Sequence, residues 1–129
     1  MSEHELGRTY LVMAGKDLDT LRRMHEVGGF LDEVFGLHSQ QCAEKAIKAS
    51  LCFLGISFGR IHDLKILMRL LENTAAIDAA LIEPLLYLTD FAVIFRYEPY
   101  EDFDVPLDRE DIIVRLTKLV ALAAESSRQ

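Results

Sequence analysis

Residues 30–54 contain no proline and carry Ala43, Ala46 and Ala49 at helical spacing, so both intrinsic propensity and pattern predict one long helix there. Its apolar stripe is broad. Val34, Phe35, Cys42, Ala46, Ala49 and Phe53 form one edge, and Ala43, Ile47 and Leu54 the other. The small residues at its middle imply close approach by a neighbour.

The remaining segments supply the neighbours. Leu11, Ala14, Leu18 and Leu21 recur at three and four, with Lys16, Asp19, Arg22 and Arg23 opposite, which predicts an amphipathic helix ended by Gly28 and Gly29. Asp63 is placed to cap a short helix carrying Leu64, Leu67, Met68 and Leu71 and stopping by Asn73. Residues 77–97 read as a fourth helical segment interrupted by Pro84, which either kinks it or opens its second half. An acidic, aromatic loop bounded by Pro99 and Pro106 follows, and Asp108 caps a last helix with Ile112, Leu116, Leu119 and Ala123 on its inner face. No segment alternates as a strand does. The expectation is an all-α fold, an up-and-down four-helix bundle with an additional short helix, forming a single domain over residues 1–129.

Half of the 129 residues are apolar and the mean hydropathy is +0.14, a surplus over what a monomer's core consumes, so a homodimer interface is expected. The formal charge of −7 and pI near 5.0 provide no field to gather phosphates, which disfavours RNA as a partner. Cys42 and Cys52 fall on one predicted helix, about 15 Å apart along its axis, and cannot pair with each other. Free thiols and the lack of a basic-then-apolar leader point to the cytoplasm. The most apolar stretch, residues 85–95, is broken by Thr89 and Asp90 and is too short to cross a membrane.

Gln41, Glu44, Lys45 and Lys48 share a narrow polar stripe of the long helix. Glu44 and Lys48 are a favourable i, i+4 pair, and the simplest reading is a solvated face; the other is a polar seam in a dimer or ligand cleft. His62 opens the short helix beside its capping Asp63, either packing or hydrogen-bonding there, or else contacting a nucleotide or serving in acid–base chemistry. His4, His25 and His38 lack partners in any metal-binding pattern. Arg96 ends an apolar segment and needs a carboxylate, a phosphate or water. Asp90 lies about 600° round the helix from it, so Glu98, Glu101 and Asp102 are the better partners. The acidic loop lacks the ligand order of an EF-hand, and no metal or cofactor is expected. Tyr97 and Tyr100 flank Pro99 as end caps or exposed hydroxyls. No phosphate loop, GxSxG or Cys-His-Asn signature occurs.

Three motifs in order, Gln40-Gln41-Cys42-Ala43-Glu44-Lys45-Ala46-Ile47-Lys48-Ala49, then Ile61-His62-Asp63-Leu64, then Phe95-Arg96-Tyr97-Glu98-Pro99, resemble the HEPN domain family over nearly the whole chain. The resemblance implies a four-to-five-helix bundle that commonly dimerises, working beside a minimal nucleotidyltransferase as a toxin–antitoxin pair. It also implies an RNA-cleaving site in which an arginine is followed four to six residues later by a histidine. Arg96 matches the arginine, but residues 97–103 contain no histidine and every histidine precedes Arg96. A tyrosine, with an ordinary pKa near ~10, is a poor base for a 2′-hydroxyl. The expectation is therefore a noncatalytic protein that dimerises and binds a nucleotidyltransferase, or a nucleotide, near Gln41, Glu44, Lys45, Lys48, His62 and Arg96. The alternatives are a metal-independent RNase toxin using Arg96 across a dimer, and an acceptor of a nucleotidyl group on Tyr97 or Tyr100.

Overall fold

A computed structural model describes residues 1–74, 78–95, 97–98 and 106–128. Among these, all regular structure is helical: α1 (Glu3–Val27), α2 (Asp32–Phe53), α3 (Leu64–Glu72), α4 (Ala79–Ile82), a 3-10 helix (Glu83–Leu88), α5 (Thr89–Val93) and α6 (Arg109–Ser126).

The long helix α2 is the centre of the molecule, with 13 of its 22 residues buried. It pairs antiparallel with α1 through the turn where Gly28 and Gly29 take φ of 75° and 81°, a region that only glycine enters freely. Far from that turn, the flat backbone at Gly7 admits the Phe53 ring; beside the middle, the Cys42 thiol donates to Ala14 O at 3.4 Å. Phe35, Ala43, Ala46 and Ile47 are fully buried, whereas Val34 is exposed. The start of α6 is tied to the α1–α2 corner by Arg109, which donates to Phe30 O and Asp32 Oδ1 at 2.6 and 2.8 Å and lies over the Phe35 ring. On the opposite side α3, the 3-10 helix and α5 cover α2 with Leu64, Leu67, Leu71, Leu85, Leu88 and Phe91.

The caps at Asp63 and Asp108 form as expected, accepting from the backbone N–H of Lys65 and Asp111. In the fourth segment the second of the two alternatives holds: Pro84 stands in the first turn of a 3-10 helix, and the segment is divided into α4, that 3-10 helix and α5. Proline has no N–H to offer the carbonyl four residues back. That carbonyl, Ala80 O, together with Leu81 O, accepts instead from Arg115 Nη1 at 3.1 and 3.3 Å. A side chain of α6 thus replaces the missing helical bond, which is why the break is stable and also why it was not readable locally.

Burial, reinforced by the negative charge of Asp17 and opposed by Lys45 and Arg22, pushes the Cys42 thiol from its ordinary 9.0 up to about 12. An unfolded chain releases this proton near pH 9 while the folded one keeps it, so the thiol's contribution is intact below pH 9 and is lost as pH rises towards 12. The urea midpoint should fall on going from pH 8.5 to about 10.5. Cys42→Ala should have a flatter profile over that interval, and an equal slope in both proteins would show that the thiol is not responsible.

Candidate functional site

Gln40, Gln41, Glu44, Lys45 and Lys48 follow one another along α2 at spacings of one, three and four residues, so they rise on one side of the helix. The structure does not leave that side in solvent. Side-chain exposure is 6% for Lys48 and 14% for Glu44, so the solvated-face reading fails for both. The reason is the loop after α2, which folds back over this stripe and carries Phe58 and His62.

The Glu44 carboxylate is the hub. It accepts from Gln40 Nε2 at 3.0 Å, from Lys48 Nζ at 3.2 Å and from His62 Nδ1, which is 3.2 Å from both oxygens. A carboxylate only accepts, so in this contact the His62 Nδ1–H is the donor. Gln40 Nε2 also donates to His62 O at 3.2 Å, fixing the backbone that bears the imidazole. Lys48 Nζ faces the rings of Phe58 and Tyr10 at 5.5 and 6.0 Å from their centroids, where the negative ring faces favour a cation. Burial pushes the Tyr10 hydroxyl up, and the charges of Cys52 and Glu44 act in the same direction.

Lys45 belongs to a second node. Its Nζ donates to Asp17 Oδ2 at 2.9 Å, and His38 Nδ1 stands 3.6 Å from Asp17 Oδ1. Both lysines predicted for the site are therefore committed to carboxylates of the same chain.

A cleft of about 500 Å³ runs between α2, the start of α3 and α5. Gln41, Glu44, Lys45 and His62 line it together with Gln40 and Tyr97, over an apolar floor of Leu37, Ala92 and Val93. Lys48 is not brought into it; it lies behind Glu44, on the side of Tyr10. Tyr97 is 85% exposed at the rim. Arg96 and Tyr100 lie outside the described residues, as do Glu101 and Asp102. A larger cleft, about 610 Å³, lies between α4 and α6 and includes Arg115 and Lys118 but none of the predicted site residues. Among the described residues, no three His, Cys, Asp or Glu side chains come together as a metal site requires, and no helix is long and apolar enough to cross a membrane.

Sequence reasoning missed Gln40 and Asp17 as members of the site. Gln40 was findable, since it stands one turn before Glu44 and faces it. Asp17 carries no signal in the linear sequence beyond its position beside the core residue Leu18.

Comparison with known proteins gives one match. The family model described as HEPN domain matches residues 8–125. No curated protein and no solved structure matches the chain.

Proposed function

Because the chain belongs to the HEPN domain family, we propose that it is the noncatalytic, dimeric member of a toxin–antitoxin pair, acting in the cytoplasm and docking a minimal nucleotidyltransferase at the α2–α3–α5 cleft. One observation carries the choice of a protein partner over a free nucleotide: Lys45 and Lys48 are already neutralised by Asp17 and Glu44. A nucleotide phosphate would have to displace one of these carboxylates, at the cost of leaving it unpaired. A protein surface asks only for what the cleft offers: an apolar floor with amide, imidazole and hydroxyl groups round it. The exposed corner of Val27, Phe30, Leu31 and Val34 supports dimerisation away from the cleft, since a contiguous apolar patch of this kind is typical of an interface.

The test is co-expression with the product of the neighbouring gene, followed by purification through a tag on either protein. Stable co-purification is the expected result, and its absence at low salt removes the proposal.

A second reading, the metal-independent RNase, is favoured by one feature. His62, oriented by Glu44 through Nδ1, lines the same cleft, and a carboxylate holding an imidazole in this way is the arrangement that orients catalytic histidines. If the protein cleaves RNA and both Arg96→Ala and His62→Ala abolish cleavage, this second reading replaces the first.

A further inference from the structure

We propose that the loop joining α2 to α3, residues 54–63, is a strap latched at its far end by Gln40 and Glu44, which opens locally to uncover Lys48 and Cys52 and closes when the cleft is filled. The near end is fastened by the N–H of Ile56 donating to Leu51 O at 2.9 Å. The far end is fastened by Gln40 Nε2 on His62 O and by Glu44 on His62 Nδ1. Between these ends, residues 57–61 make no hydrogen bond to any described residue. Gly55 and Gly59, with φ of 72° and 62°, give the span two points that can rotate without a side-chain penalty. A short span with fixed ends, glycine pivots and no backbone bonds is where local opening is least costly.

What holds the middle down is Phe58, edge-on to Tyr10 with ring centroids 6.2 Å apart and over Lys48 Nζ. Beside it is an open groove of about 330 Å³ lined by Leu6, Tyr10, Cys52 and the strap itself. Lifting the strap would widen this groove and expose the Cys52 thiol, only 7% exposed with the strap down. The latch groups Gln40, Glu44 and His62 also wall the cleft. An occupant that covers the exposed His62 ring removes water from its bond to Glu44 and strengthens the latch. The latch itself stands independently of the proposed function; its control by an occupant of the cleft rests on that reading.

Cys52 and Cys42 are built-in reporters. Cys52 lies under the strap, and Cys42 is fully buried in the α1–α2 core, where only global unfolding reaches it. The native protein is treated with a thiol reagent at one pH, and the label is assigned to each cysteine by peptide mass spectrometry. His62→Ala and Gln40→Ala, each removing part of the latch, should raise the Cys52 labelling rate by about tenfold, the share expected of one or two hydrogen bonds in an opening equilibrium. Cys42 should stay at its wild-type rate, and His62→Gln, whose amide can still donate to Glu44, should restore most of the protection of Cys52. Unchanged Cys52 labelling in both alanine variants overturns the latch, as does a parallel rise at Cys42. None of these results depends on the nucleotidyltransferase, so a failed co-purification leaves them intact.

Discussion

Gly36→Ala is expected to destabilise the protein by about 3 kcal/mol, the upper end for overpacking a dense core, and to lower the thermal midpoint by roughly 10 °C. A methyl group at this position would stand 2.4 to 2.6 Å from Cδ1, Cγ and Cε1 of Phe91. These atoms include the root of the ring, not the end of a flexible chain, so the clash cannot be relieved by a small swing. Phe91 is buried and meets Phe95 edge-on at 4.8 Å, which leaves it little room to retreat. The flat backbone at Gly36 is thus the seat on which α5 rests against α2. Gly15→Ala is the control: nothing lies within 4 Å of the added carbon, and replacing a mid-helix glycine there should stabilise by about 0.5–1 kcal/mol. Thermal unfolding followed by circular dichroism separates the two. Equal effects would mean that Phe91 does not pack on Gly36.

Glu44→Ala should cost about 3–5 kcal/mol, because it strands the buried Lys48 ammonium with no carboxylate. The partner change is asymmetric. Lys48→Met keeps the volume and leaves Glu44 accepting from Gln40 and His62 near the cleft, so its cost should not exceed about 1.5 kcal/mol. The double variant should recover most of the loss from Glu44→Ala, since an apolar side chain then occupies an apolar site. Urea denaturation of the four proteins gives the coupling directly, and additive effects would show that the two side chains do not share the buried environment described above.

Much of this fold is legible in one dimension because its signals are local. The helical period of Leu11, Ala14, Leu18 and Leu21, the glycine pair after Val27, and the capping Asp63 and Asp108 each act within a few residues. The division of residues 79–93 is not local: Pro84 announces a break, but Arg115, from another helix, decides how the freed carbonyls are satisfied. The site divides in the same way. Helical spacing brings Gln41, Glu44, Lys45 and Lys48 to one side of α2, yet it cannot reveal that the side chain of Phe58 closes over Lys48 or that Asp17 takes Lys45. A helical wheel therefore reads as a solvated stripe what tertiary contacts turn into a buried hub and a cleft wall.

The proposed docking of a nucleotidyltransferase in the α2–α3–α5 cleft makes a direct demand on the residues that line it. Calorimetric titration of the purified nucleotidyltransferase into wild type, Gln41→Arg and Lys118→Glu tests it most directly. Gln41→Arg places a bulky cation in the cleft, whereas Lys118 borders the separate cleft between α4 and α6. Binding by wild type and Lys118→Glu with equal affinity, and a loss of about tenfold or more (1.4 kcal/mol) in Gln41→Arg, is the predicted outcome. Undiminished binding by Gln41→Arg, or no binding by wild type, would contradict it.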